Sequence, residues 1–469
     1  MAPLMVAAIC AACLPSASAA AGAPPLPAQS RAGQWIVDAQ GRVIVMHGVD
    51  LVKKTAPYYP SMFGPQDAAF LVSEGFTVAR IGFMWSAVEP EPGHFDDAYI
   101  EKIIALNTLL ARYGIRTLID FHQDDWGAST IYGDGAPLWA SLGRSADQDF
   151  QAFWDNRSGP EGVGIQVSFI AAWQHVVSLI DANASASNIL GFDPFNEPYP
   201  GSGYPSCSDF APCAPFETGS LATFYQLVID AIRSTGDTHL IFPEGVAQNA
   251  TQVPSLPAFS DPQTAFNWHY YCPVSELVPD VTGLLTNLLC TKGDATDFSN
   301  IVTYTNRLGA PWIVSEFGAN EADPEYAKEV DLFDSHFLTW MFWQYDGNFD
   351  PGDTPLEAIV NGSPGSEANA NQQKLNALVV PYPQAIAGTP HTYSFERSTH
   401  TMTLTYSSAP APGIRLTLGA MTQIFVPRRQ YPNGYSVKVS GATVESSGSS
   451  TDLLLASTPG SHVVTVVVS

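Results

Sequence analysis

The sequence predicts an α/β fold, a (β/α)8 TIM barrel, followed by a C-terminal antiparallel β-sandwich. Three observations predict it. Eight short apolar runs alternate with helical stretches along most of the chain. Connections leading into those runs are short, whereas connections leaving them are long. Beyond about Pro383 the composition shifts to short alternating runs, rich in Thr, Ser and Val and separated by Gly, Pro and Ser.

The expected barrel strands are VIVMHGVDL (43–51), TVARIGFMW (77–85), RTLIDFH (116–122), ILGFDPF (189–195), HLIFPEG (239–245), TAFNWHYY (264–271), PWIVSEFG (311–318) and TWMFWQYD (339–346). They are near-continuous apolar runs, as strands buried on both faces must be. AYIEKIIALNTLLARYG, SFIAAWQHVVSLIDA and LATFYQLVIDAIRSTG carry helical periodicity between them, the last closed by Gly236. RYGI, STGDT and RLGA are short entries to the third, fifth and seventh strands, while residues 123–165, 198–220, 272–296 and 347–370 form long exits. A barrel enzyme builds its active site from the loops that follow its strands, so the insertions mark one end as functional. A doubly wound open sheet would not need eight strands with this asymmetry. HTYSFERSTHTMTLTYSS, MTQIFVP, YSVKVSG and HVVTVVVS then read as sandwich strands. The expected domains are a barrel over 24–383 and a sandwich over 384–469.

Residues 1–23 read as a signal peptide. An apolar run is followed by small residues, with Ala17-Ser18-Ala19 as a cleavage site, although basic residues near the start are lacking. A secreted protein is expected. Of the six cysteines, Cys10 and Cys13 lie in that leader, leaving Cys207, Cys213, Cys272 and Cys290. In an oxidising compartment the close pairs suggest Cys207–Cys213 and Cys272–Cys290, among three possible connectivities. Zinc is the competing reading, but the spacings fit no usual ligand pattern. A net charge of −25 disfavours nucleic acid and anionic membrane surfaces. Nothing in the sequence predicts a protein partner.

Asp50, His122, Glu197, Glu244, His269, Glu316 and Asp346 stand at the ends of expected strands. Polar groups at a barrel mouth are the default catalytic set. No Gly-rich phosphate loop follows a strand, and no G-x-S-x-G elbow surrounds Ser315. No cofactor or metal is expected. Two facing carboxylates suit glycoside hydrolysis, which needs an acid for the leaving oxygen and a second group for the anomeric carbon. Glu197 and Glu316 end the fourth and seventh strands. Composition alone does not choose them over Glu244 or Asp346, and a single strand-end Glu can equally be solvated or salt-bridged.

The motifs themselves choose. NEP at 196–198 and VSEFG at 314–318, with Arg80 in ARIGF, His122 in DFHQD, His269 and Tyr271 in HYY, and Trp343 in FWQYD, resemble glycoside hydrolase family 5. The resemblance covers about 43–383. HGVDLVKK, DFHQD, HYYC and VPRRQYPNGYSVKVSG are most similar to the endoglycoceramidases of that family. It implies that Glu197 is the acid/base and Glu316 the nucleophile, that Asn196 bonds the sugar 2-hydroxyl, and that Tyr271 and Arg80 hold Glu316 ionised. Two carboxylates about 5–5.5 Å apart would then give retention of configuration. His122 and Asp124 are carried over as substrate-binding residues. Trp343 is either a sugar-stacking floor or a buried core residue. Lys53 and Lys54 either meet acidic sugars or form a solvated pair, and His269 is either a ligand or a neighbour of the carboxylates. Trp126, Trp139 and Trp154 grip substrate or pack the third loop. The implied substrate is a glycolipid cut between glycan and ceramide. Two alternatives are an exo-acting β-glucosidase on glucosylceramide or steryl glucoside, and an inactive glycan- or lipid-binding barrel.

Overall fold

The structure, a computed structural model, describes residues 29–127, 133–207, 213–246, 253–271, 284–318, 323–347 and 357–469, without the side chains of 284–294 and 323–325. The expected signal peptide lies outside the described residues, as does the Cys272–Cys290 pairing.

Strands β1 (Ser30–Ala32), β2 (Trp35–Val37) and β3 (Val43–Ile44) precede the barrel. The barrel follows as β4 (His47–Leu51), β5 (Val78–Met84), β6 (Arg116–His122), β7 (Ile189–Asp193), β8 (Leu240–Ile241), β9 (Phe266–Tyr270), β10 (Trp312–Phe317) and β11 (Thr339–Phe342). They form one eight-stranded sheet, and every paired neighbour is parallel. Bridges Ile241↔Thr264 and Glu244↔Asn267 bring the two ends of that sheet together. β8 is shorter than the run at 239–245 suggested because Pro243 has no N–H to donate. Only the Pro243 carbonyl stays in the ladder, accepting from Asn267 N at 3.1 Å.

Amphipathic helices such as Asp97–Arg112, Ile165–Asp181 and Ala222–Ser234 bury one face against the barrel. The first is N-capped by Asp96, which accepts from Tyr99 N at 3.1 Å. One expectation is corrected here. Residues 284–296, expected within a long loop, lie in helix Leu284–Leu308.

The apolar run at 43–51 also divides, because it serves two sheets. β4 sits in the barrel, whereas Ile44 of β3 pairs with Ala385 of β12 (Tyr382–Ile386). A seven-stranded sheet runs β1-β2-β3-β12-β15-β18-β17, taking in β15 (Thr422–Phe425), β17 (Ala442–Val444) and β18 (Asp452–Ser457). A second sheet runs β13 (Thr389–Glu396), β14 (Thr401–Ser407), β19 (Val463–Val468) and β16 (Val437–Ser440). Both are antiparallel. Burial alternates along β14 and β19, which buries Met402, Leu404 and Tyr406 with Val464, Val466 and Val468.

This sandwich is fixed to the barrel by chemistry as well as by chain. Arg429 binds both oxygens of Glu74 at 2.9 and 3.1 Å and Glu367 at 2.8 Å. The Tyr382 hydroxyl donates to the Gly75 carbonyl at 2.7 Å. Gly75 has φ +84°, and an added Cβ would lie 2.2 Å from the Phe425 ring, so no larger residue fits this contact.

Candidate active site

The polar end of the barrel is built in two tiers. The lower tier surrounds Arg80, which β5 carries into the barrel with no exposed surface. Its guanidinium contacts Asp50 at 3.4 Å, Asp120 at 3.1 Å, Asp193 at 3.1 Å and Glu316 at 3.0 Å, and it donates to Asn196 Oδ1 at 2.6 Å. One buried cation thus serves four carboxylates, and the carboxylates respond. Burial pushes Asp193 up to about 7 against the opposing pull of Arg80. Asp50 is raised well above the carboxylate range, also by burial.

The upper tier holds the two glutamates. Burial alone would raise Glu316, but the positive charges of His269, Arg80 and His122 outweigh it, aided by a hydrogen bond from Tyr271. The result is a carboxyl held below its usual range. Tyr271 donates to Glu316 Oε1 at 2.6 Å. Its own ionisation is pushed well up by burial and by the Glu316 charge, so it remains a donor.

Glu197 follows β7 on a turn and has φ +41°. His269 Nδ1 bonds Glu197 Oε1 at 2.9 Å and lies 3.6 Å from Glu316 Oε2, placing one ring nitrogen between the two acids. Burial would lower His269, but Glu244, Glu316 and Glu197 raise it to about 10, so it is a cation at neutral pH. Glu197, His269 and Glu316 bring one polar atom each within 4.8 Å of one another. Glu316 is 9% exposed and Glu197 26%, so the second faces the opening more than the first.

Asn196 is oriented at both ends of its amide, accepting from Arg80 and donating from Nδ2 to the Gln123 carbonyl at 3.0 Å. On the opposite wall His122 bonds Asp120 at 2.9 Å and stacks on Trp343 with centroids 5.6 Å apart. Those neighbouring carboxylates, with Asp124, hold His122 well above the usual range despite its burial. Lys54 Nζ sits 4.5 Å over the Trp343 ring and pairs with Asp124 at 2.5 Å. Trp343 is only 4% exposed.

The structure therefore brings Arg80, His122, Asp124, Asn196, Glu197, His269, Tyr271, Glu316 and Trp343 together. Lys53 donates to Thr55 Oγ1 at 2.8 Å, and its neighbour Lys54 takes the place over the tryptophan. Asp346 accepts from Gly362 N and Ser363 N. Trp126 is buried against Trp85, Phe150 and Phe153, and Trp154 packs on Phe216 and Phe224. Trp139 lies edge-on to Trp85 and donates to the Glu89 carbonyl, so all three pack the third loop. Cys207 and Cys213 are bonded, tying the segment after Glu197. Sequence reasoning missed Asp120, Asp193 and Asn267, the last donating to Asp193 Oδ2 at 2.8 Å. A signal existed: each is a polar residue inside an otherwise apolar strand. Asp193, Glu244 and His269 also gather three ligand-type atoms within 4.8 Å of one another.

A parallel eight-stranded barrel with two close glutamates at its mouth, one of them held ionised, suits a hydrolase of glycosidic bonds. The chain belongs to glycoside hydrolase family 5: residues 37–349 match "Cellulase (glycosyl hydrolase family 5)", and 381–468 match the "Glycoside hydrolase family 5 C-terminal domain". It is a glycoside hydrolase acting on O-glycosyl bonds. Endoglycoceramidase I of Rhodococcus hoagii is 29% identical, with 93% of this chain and 85% of that protein covered. An endoglycoceramidase of Cyanea nozakii is 24% identical over 87% of this chain and 85% of its own. Among solved structures, endo-glycoceramidase II from Rhodococcus sp. in complex with ganglioside GM3 superposes with a TM-score of 0.76. It is 24% identical, with 93% of this chain and 99% of that one covered.

Proposed function

We propose that this protein is a retaining endo-β-glycosidase that cuts glycosphingolipids between oligosaccharide and ceramide, with Glu316 as nucleophile and Glu197 as acid/base. The observation that carries it is the closeness of the two glutamates, with polar atoms within 4.8 Å. Retaining glycosidases hold their two carboxyl groups close, about 5–5.5 Å apart, so that one of them can attack the anomeric carbon directly. The glycolipid substrate is supported by the two endoglycoceramidase relatives, which match over most of their length.

The chemistry follows from the contacts. Glu316, ionised and buried, attacks the anomeric carbon while Arg80 and Tyr271 fix its two oxygens. Glu197 gives its proton to the departing ceramide oxygen, then removes one from the water that releases the sugar. Asn196, its orientation set by Arg80 and Gln123, offers its second amide hydrogen to the sugar 2-hydroxyl. Trp343 is stacked on His122, with Lys54 over its ring. Export is part of the proposal, supported by the leader-like N-terminus and the Cys207–Cys213 bond. The sandwich is assigned a packing role, through Arg429 and Tyr382.

Product analysis on a mixed glycosphingolipid extract tests the proposal. Intact oligosaccharide plus free ceramide is the expected outcome. Free glucose or galactose alone would replace it with the exo-acting reading, and binding without any cleavage would indicate an inactive barrel.

A further inference from the structure

Glu197 is a residue with a Cβ in the left-handed region, at φ +41°. Such a conformation persists only where the surroundings hold it. Two side chains do so. Gln123 Nε2 donates to the Asn196 and Glu197 carbonyls at 2.8 and 3.2 Å. From the other side, the Glu197 N–H donates to Glu244 Oε2 at 3.0 Å.

Glu244 is itself fully buried beyond the end of β8. Its backbone is pinned by Tyr225, whose hydroxyl donates to the Glu244 carbonyl at 2.9 Å and accepts from the Glu244 N–H at 3.2 Å. The remaining oxygen, Oε1, lies 3.7 Å from His269 Nδ1, the nitrogen that bonds the Glu197 carboxyl. Glu244 therefore reaches Glu197 twice: directly at the backbone, and through His269 at the side chain.

We infer that Glu244 is a positioning residue for the acid/base, fixing the turn that aims the Glu197 carboxyl across the mouth toward Glu316. The inference rests on the assignment of Glu197 as acid/base. Burial raises the Glu244 pKa well above the carboxylate range against the opposing charge of His269, and its Oε2 accepts the Glu197 N–H. An amide at this position would serve the same purpose.

The test uses Glu244→Met, which keeps length and volume but removes the acceptor, Glu244→Gln, which keeps an acceptor, and Glu197→Ala. Each is assayed for kcat/KM on β-lactosides of phenol and of dinitrophenol. These differ in how much their leaving oxygen needs an acid, and they do not depend on the lipid. Misplacing a catalytic group by about 1 Å can cost roughly 100-fold. Glu244→Met is therefore expected to lose about 10- to 100-fold on the phenyl substrate and less than about threefold on the dinitrophenyl one, with KM little changed. Glu244→Gln is expected to restore both. Equal losses on the two substrates, no loss, or a Glu244→Met protein that does not fold by far-UV circular dichroism would each overturn the inference. Glu197→Ala separates the two levels. If it shows no dependence on leaving group, the acid/base assignment fails; if it does while Glu244→Met does not, only the role of Glu244 falls.

Discussion

Raising the pH from 6 to 10 is expected to destabilise the folded protein through His269. The side chain is buried, and its Nδ1 faces Glu197 at 2.9 Å, Glu316 at 3.6 Å and Glu244 at 3.7 Å, with Asp193 in the same pocket. Desolvation opposes the charge, but Glu244, Glu316 and Glu197 raise its pKa from 6.5 to about 10. The sign follows from the direction of that shift. A group whose pKa is higher in the folded state contributes stability that is complete below the unfolded value, near 6.5, and lost as the pH climbs through about 10. At about 1.4 kcal/mol per unit, the ceiling on that contribution is about 5 kcal/mol. The assay is the urea midpoint of wild type and of His269→Gln across this range. The wild-type advantage should be largest near pH 6 and shrink toward pH 10, because the variant has no proton to lose. A difference that stays constant across the range would refute the assignment of His269 as a buried cation.

Glu316→Gln should lower turnover by roughly 10³-fold or more while changing the thermal midpoint little, since it removes the nucleophile's charge at nearly constant volume. Equal loss of activity and stability would make Glu316 structural. Reducing Cys207–Cys213 should cost about 2 kcal/mol in the chain-entropy account, felt in the segment after Glu197 and not in the barrel. Activity should fall with little change in far-UV circular dichroism, whereas a global loss of signal would contradict this.

How far the sequence could be read depended on which physical signal each element carried. β6 matches its expected run at both ends, because Gly114 breaks the chain before it and its exit is polar. The run at 43–51 announced burial but not which sheet would supply the partner, so its division between barrel and sandwich was hidden. Helix Leu284–Leu308 was masked by Gly293 and by the polar stretch around it, which interrupt an apolar period. Within the site, Glu197 and Glu316 were legible because they stand where strands leave the core. The tier beneath them was not. Asp120 and Asp193 look like interruptions in apolar runs until Arg80 is seen to need them. Lys53 and Lys54 could not be ranked, since adjacent side chains point apart and only the folded backbone says which one reaches Trp343.

The pairing of β3 with β12 has a consequence in time. Ile44 emerges from the ribosome early, yet its partner Ala385 is made hundreds of residues later. At 5–20 residues per second the first strand waits roughly 20–70 s for the sheet it completes. The barrel is synthesised in that interval, between the two halves of its own clasp. The N-terminal strands, which pair with one another, must therefore keep the free edge of β3 soluble and unpaired while the chain around them is still being made. Their short length, two or three residues each, leaves little exposed edge for another chain to join.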